Sequence, residues 1–330
     1  MTPRRRIYVA GGGTLLGAAI IKRLWAQGYP NVLGGPQDEP RLTEAAAVDR
    51  FFARWQPDYV FLAAGPSGGI AANQRQPADL MRENLLGACH VIDSAHRHGV
   101  VKLLYLASSC SYPRLCAQPM REDALLHGPL EPTNEAYAMA KLAGMVLCKA
   151  YAQQHGTHFV TAIPTNAFGP GDDFRPEEGH VIPSLIARFH AAKVEGREVV
   201  TVWGTGQPRR EFLFADDLAD ACLFVMREYA DTSPINLGGG EDCSIGELAA
   251  LIAEVVGFPG RIEFDPSRPD GMPLKRLDGS RLQQMGWRPV TPFRDALRTT
   301  YRWYLEATRD EALAPLGAGH GPSSLGRFRP

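Results

Sequence analysis

A chain of 330 residues is longer than one hydrophobic core usually serves, since a domain averages roughly 150 residues. Apolar residues at 45% and charged residues at 22% exclude a disordered chain, and a net charge of −1 offers no basic face to nucleic acid or to a membrane surface. Six cysteines without any paired CxxC spacing exclude a disulfide scaffold or a zinc cluster, predict no metal site, and read as the reduced thiols of a cytoplasmic protein.

The N-terminal stretch MTPRRRIYVAGGG has an apolar run too short for a signal-peptide core. Nothing downstream approaches the roughly 20 apolar residues needed to span a bilayer. Ile7–Ala10 then reads as a buried strand, followed by a helical pattern from Leu15 to Gln27. Short apolar runs at Tyr59–Ala64, Leu103–Ala107 and Phe159–Pro164 alternate with helical segments at Ala78–His98 and Asn134–Gln154. Strands separated by amphipathic helices predict an α/β protein with a Rossmann-type, doubly wound parallel sheet. Past Pro164 the chain breaks into Pro- and Gly-rich loops between helices at Ile182–Val194 and Ile245–Val256. We therefore expect a dinucleotide-binding domain over 1–165, with segments near 211–237 and 272–279 returning to it. A smaller α/β substrate-binding domain should hold 166–210, 238–271 and 280–313. Residues 314–330 read as a disordered tail.

VAGGGTLLGAAI closes the first strand and opens the first helix. Glycines here let the backbone approach a pyrophosphate, whose charge the free N–H groups and the helix dipole favour. Where the second strand should end, near Val32–Leu33, the chain offers Gly34, Gly35, Pro36 and Gln37. That is neither a carboxylate for the ribose of NAD nor an arginine for the 2′-phosphate of NADP, though Asp38, Glu39 or Arg41 could swing in.

EAYAMAKLAG sets Tyr137 and Lys141 one helical turn apart on one face. A neighbouring ammonium favours the phenolate, so this reading predicts a tyrosine pKa drawn down from about 10. Such a phenol can give a proton to a ketone oxygen as hydride arrives. With Ser108 ending the intervening strand, the three residues read as a short-chain dehydrogenase/reductase triad. Ser108 would steady the carbonyl oxygen, and Lys141 would also hold the nicotinamide ribose. A reduced cysteine such as Cys110 is on its own a small hydrophobe that packs well.

LASSCSYP, QPMREDALLHGPLEPTNEAYAMAKLAG, PTNAFGPGDDFRPEEGHVIPSLIARFH, VWGTGQPRREFLFADDLA and FDPSRPDGMPLKRLD together resemble the GDP-L-fucose synthase family. These are homodimeric 3,5-epimerase-4-reductases of GDP-4-keto-6-deoxy-mannose, in the extended short-chain dehydrogenase/reductase superfamily. The resemblance runs from Ile7 to about Glu306 and implies the same conversion, to GDP-L-fucose. It gives the epimerising pair as Cys110, the base, and His180, the acid. Inverting a carbon needs one proton-transfer group on each face, and a ketone at C4 acidifies C3 and C5. The cofactor contacts it implies are Gly11, Gly13, Thr14, Leu15, Gly17, Ala63, Ala64, Tyr137, Lys141, Pro164, Asn166 and His180. Those for the GDP-sugar are Ser109, Asn166, Val181, Arg188, Trp203, Arg210 and Lys275. The homodimer it implies would pair the two long helices, 78–98 and 134–154.

The chain departs from the family at three points. Thr14 stands where the turn has its middle glycine, with Gly13 in place of the preceding arginine. Gly35 and Gln37 stand where arginines follow the second strand. Pro66 and Ser67 alter the next loop. NADP(H) is the cofactor the resemblance implies, and the lost arginines keep NAD(H) open. Also open are a redox-neutral, NAD-dependent GDP-hexose epimerase resembling GDP-mannose 3,5-epimerase, and an enzyme for another GDP-deoxyhexose or a heptose. A non-catalytic nucleotide-binding protein would have no reason to keep Ser108, Cys110, Tyr137, Lys141 and His180 together.

Overall fold

The computed structural model describes residues 1–313 apart from Pro36 and Glu178; the expected tail, 314–330, lies outside the described residues. The first half alternates β1 (Ile7–Ala10), α1 (Leu15–Ala26), β2 (Val32–Leu33), α2 (Ala45–Trp55), β3 (Tyr59–Leu62), α3 (Ile70–Arg75), α4 (Pro77–Arg97), β4 (Lys102–Leu106), α5 (Glu135–His155) and β5 (Phe159–Pro164). The second half holds β6 (Asn166–Phe168), α6 (Val181–Val194), β7 (Val199–Trp203), β8 (Arg209–Phe214), α7 (Ala215–Glu228), β9 (Ile235–Leu237), β10 (Glu241–Ser244), α8 (Ile245–Val256), β11 (Arg261–Asp265), β12 (Leu274–Lys275), α9 (Ser280–Gln284) and α10 (Phe293–Leu313).

Six strands form a parallel sheet in the order β2-β1-β3-β4-β5-β9. Its strands are mostly apolar because both faces are covered. Ile7 and Val9 of β1 pack with Leu24, Leu218 and Cys222 on the side of α1 and α7. Tyr8 and Ala10, one residue out of phase, pack with Phe52, Val91 and Leu142 on the side of α2, α4 and α5. Because β2 and β3 flank β1 on opposite sides, the chain reverses direction there. A crevice therefore opens beyond the carboxyl ends of β1 and β3, where ligands of open α/β sheets bind.

A second sheet runs β10-β8-β12 with β6 also on β8, and β7 pairs with β11 apart from it. Phe168, Ile186, Phe212, Leu248 and Ile252 centre its core under α6, α8 and α10. A capping box, Ser244 with Glu247, starts α8 by satisfying orphan N–H groups in both directions. Residues 211–214 and 274–275 of the expected returning segments run in this second sheet, since β8 offers its edges to β6, β10 and β12. The return to the first sheet is made by α7 and β9, while Leu277 packs into the first unit's core.

Glu211 stitches the two units. Its side chain is 1% exposed, and its carboxylate accepts from Leu277 N at 2.8 Å, Gly239 N at 2.6 Å and Gly240 N at 3.0 Å. Burial pushes this carboxyl up while those three N–H groups pull it down. Glu211→Ala should orphan all three donors and lower the unfolding free energy by about 3 kcal/mol or more. Glu211→Gln, which keeps an acceptor, should cost less, and equal urea midpoints for the two variants would show that the carboxylate is not the stitch.

Candidate active site

The turn after β1 is held by contacts that exclude side chains. Gly11 has φ +85°, and a Cβ there would come within 2.5 Å of the Ala64 backbone; one at Gly17 would come within 2.0 Å of Gly11 O. Thr14 is the N-cap of α1: its hydroxyl accepts from Gly17 N at 3.1 Å and donates to Gly11 O at 2.8 Å. The departure from glycine thus gives the turn a cap. Gly13 is half-buried, and Leu15 packs against the core below. Ala63 N donates to Ala10 O, joining the loop after β3 to the turn.

A cleft of about 750 Å³ opens beside this turn, lined by Gly11, Thr14, Leu62, Ala64, Asn84 and Tyr105. Asn84 Oδ1 is buried in its wall without a partner among the described residues. A small-residue cradle, a capped helix N-terminus and an orphaned acceptor fit a dinucleotide. Farther out, Glu39 accepts from Gly11 N–H and lies 3.5 Å from the Tyr8 hydroxyl; burial pushes its carboxyl up to about 7. Arg41 and Arg82 also line the cleft, with carboxylates beside them: Glu44 2.8 Å from Arg41, and Glu83 3.6 Å from Arg82. Gln37 is exposed and Gly35 brings no charge.

At the cleft's inner end Lys141 donates to Ala64 O at 3.2 Å and Leu106 O at 3.4 Å, with its ammonium 5.9 Å from the Tyr137 ring centroid. Burial pulls Lys141 down to about 8. Tyr137 differs from expectation. Burial pushes its phenol well up, the Cys110 charge adds to that, and the hydrogen bond with Ser108 only partly opposes it. Desolvation outweighs the lysine, which aims its ammonium at carbonyls. The phenol accordingly keeps its proton at neutral pH and is a donor. Ser108 lies two residues beyond the end of β4 and caps a turn over Ser109–Ser111, its Oγ accepting from Cys110 N at 3.2 Å.

Cys110 is half-buried with its Sγ 3.2 Å from Lys275 Nζ. Burial pushes the thiol up, but Lys275, Ser108 and His180 together outweigh it and leave it below the ordinary thiol range. His180 is the N-cap residue of α6, and its side chain is 45% exposed. Burial lowers this imidazole, yet Asp172, 3.6 Å from Nδ1, together with Cys110 and Asp173, raises it overall. Asp172 is 4% exposed; its Oδ1 also accepts from Asp173 N, and its Oδ2 is buried without a partner among the described residues.

The remaining expected contacts are more dispersed. Pro164 ends β5, and Asn166 Nδ2 donates to Glu211 O at 2.7 Å. Ser109 is 4% exposed, and Val181 packs against the second core. Arg188 donates to Thr201 O, and Trp203 lies under the Arg268 guanidinium at 4.8 Å. Arg210 pairs in register with Lys275 across β8 and β12 and feels the Cys110 charge. The structure therefore gathers Ser108, Cys110, Tyr137, Lys141, His180, Arg210 and Lys275, and leaves Arg188 and Trp203 along α6 and β7. Asp172, Asn84 and Glu211 were not singled out in the sequence. Asp172 sits in the quoted run FGPGDDFRPEEGH, where two adjacent aspartates near a histidine were the available sign.

The sequence profile of the NAD dependent epimerase/dehydratase family matches residues 7–238. The chain belongs to that family. It is 50% identical, over 91% of its length, to "GDP-L-fucose synthase 1" of Arabidopsis thaliana, covering 93% of that protein. It is 46% identical, over 92% of its length, to the GDP-L-fucose synthase of Escherichia coli (strain K12), covering 97% of it. A solved GDP-L-fucose synthetase from Naegleria fowleri, bound to NADP, superposes with a TM-score of 0.85 at 29% identity, over 94% of this chain and 96% of that one. Among the described residues no helix is long and apolar enough to cross a membrane.

If Asp172 sustains the charge on His180, Asp172→Asn should move the His180 titration seen by proton NMR to lower pH. An unchanged midpoint would mean that the carboxylate does not act on the ring.

Proposed function

We propose that this member of the family is an epimerase/reductase that converts GDP-4-keto-6-deoxy-mannose to GDP-L-fucose, inverting C3 and C5 before the C4 ketone is reduced. The observation that carries the reading is a thiol 3.2 Å from the Lys275 ammonium and an imidazole 3.6 Å from the Asp172 carboxylate, gathered with one half-buried phenol. The residue types suit the chemistry. Cys110 as thiolate removes the proton next to the ketone; His180 as imidazolium returns one on the opposite face. Ser108 holds the ketone oxygen, and Tyr137 gives it a proton when the carbon is reduced. When bound, the nicotinamide supplies the hydride for that step. Lys141, already bonded to the carbonyls at the inner end of the cleft, is placed to steady the ribose.

The pocket at the adenosine end supports a relaxed choice between NADPH and NADH. Gly13, Gly35 and Gln37 bring no positive charge, Arg41 and Arg82 have carboxylates beside them, and Glu39 stands next to the turn. The discrimination we expect is less than about tenfold in kcat/KM, well short of what bidentate arginine recognition of a phosphate gives. A homodimer through α4 and α5 remains part of this reading, supported by the family resemblance and by exposed Met139 and Val146 on α5.

Incubation with GDP-4-keto-6-deoxy-mannose in heavy water should incorporate deuterium at C3 and C5 and oxidise one reduced cofactor per sugar. Conversion with no net cofactor consumption would favour the redox-neutral epimerase instead. In the same assay Cys110→Ser should nearly abolish ring exchange while leaving cofactor binding intact. Tyr137→Phe should slow reduction by about 100-fold or more and spare exchange. Full reduction by Tyr137→Phe would remove the phenol from the mechanism.

A further inference from the structure

Lys275 enters this site by a different route from the one its charge suggests. As a substrate contact it would be a cation for the diphosphate, yet its side chain is 8% exposed and its Nζ lies 3.2 Å from Cys110 Sγ. The parallel register of β12 on β8 sets it beside Arg210, whose guanidinium already donates to Arg209 O at 2.8 Å and Asp270 O at 3.2 Å. Tyr137 from α5, His180 from the start of α6, and the Ser108 hydroxyl are the other groups that face the sulfur. Lys275 is therefore the cation within bonding distance of the atom that has to be ionised.

We propose that Lys275 is the counter-ion that keeps the Cys110 sulfur a thiolate, acting on that atom and not on the substrate diphosphate. This rests on the proposed role of Cys110 as base. One sulfur must serve two carbons. At C3 the C–H bond breaks, its proton goes to sulfur, and its electron pair enters an enolate whose charge sits on the C4 oxygen. The enolate carbon then takes a proton from the His180 imidazolium on the other face, and the ketone re-forms. For C5 the sulfur must lose the proton it has gained, and the imidazole must regain one. His180 is exposed to water and backed by Asp172, so it recharges from solvent. The half-buried thiol returns its proton to solvent water, and an ammonium 3.2 Å from the sulfur favours that loss. Lys275 is thus a positioning residue that acts through Cys110.

The test is made on the full chain without substrate. Ultraviolet thiolate absorbance, taken as wild type minus Cys110→Ser, should rise with a midpoint below the ordinary value of about 8.5; a midpoint at or above that value overturns the proposal. Iodoacetamide alkylation of Cys110, followed by peptide mass, should slow at least about fivefold at pH 7 in Lys275→Gln and recover to within about twofold of wild type in Lys275→Arg. Equal alkylation of wild type and Lys275→Gln overturns it. Buried Cys148, Cys222 and Cys243 report folding in the same experiment, and if they become reactive in Lys275→Gln the absorbance midpoint decides alone. Neither readout uses substrate, so a low thiol midpoint in an enzyme that exchanges no ring hydrogens would support the ion pair and count against the function.

Discussion

A buried carboxylate accepting three backbone N–H groups is the constraint on which the site depends. Glu211 binds the segment after β12 and two of the three glycines after β9, so β8, β9 and β12 are fixed against one another at the seam between the two units. Arg210, the residue before it, and Lys275, its register partner, are thereby carried to the sulfur of Cys110, which belongs to the other unit. A carboxylate can be kept in such a place because each N–H replaces a hydration bond that burial removed.

Burial then sorts the groups that this seam brings together. Desolvation disfavours whichever form is charged, so it raises the phenol of Tyr137 and lowers the ammonium of Lys141 alike. It also opposes charge on Cys110 and His180, and there it loses. The sulfur has Lys275 in contact, and the imidazole has Asp172 behind it. Charge is thus favoured on the sulfur and on the imidazole and disfavoured on the phenol, and the division matches the proton each would have to take or give.

Local pattern made much of the first unit legible. The continuous apolar run of β1, the glycine turn, and the four-residue spacing of Tyr137 and Lys141 all lie within one element or one junction, where sequence distance and spatial distance agree. The ordering of ionisation was not legible, because the lysine four residues from Tyr137 is visible in the sequence whereas the burial of both is not. Nor were the long-range contacts. Cys110 and Lys275 are 165 positions apart, and Glu211 meets Leu277 across 66. Their meeting is decided by the register of β12 on β8, a two-residue strand too short to leave a periodic signal.

The altered turn shows how a departure from a family pattern should be weighed. Replacing glycine by Thr14 is conformationally harmless, because an N-cap has extended backbone, and Thr14 shows φ −80° and ψ 162°. The backbone approach needed for a pyrophosphate is enforced elsewhere, by Gly11 and Gly17, where a Cβ would strike the chain. What the substitutions at positions 13, 35 and 37 change is therefore charge and not shape. Charge at the adenosine end distinguishes one dinucleotide from the other but contributes little to holding the parts they share. On the reading proposed here the pyrophosphate and nicotinamide positions are kept while selectivity for the 2′ substituent is relaxed, with Glu39, its carboxyl pushed up to about 7, beside the turn.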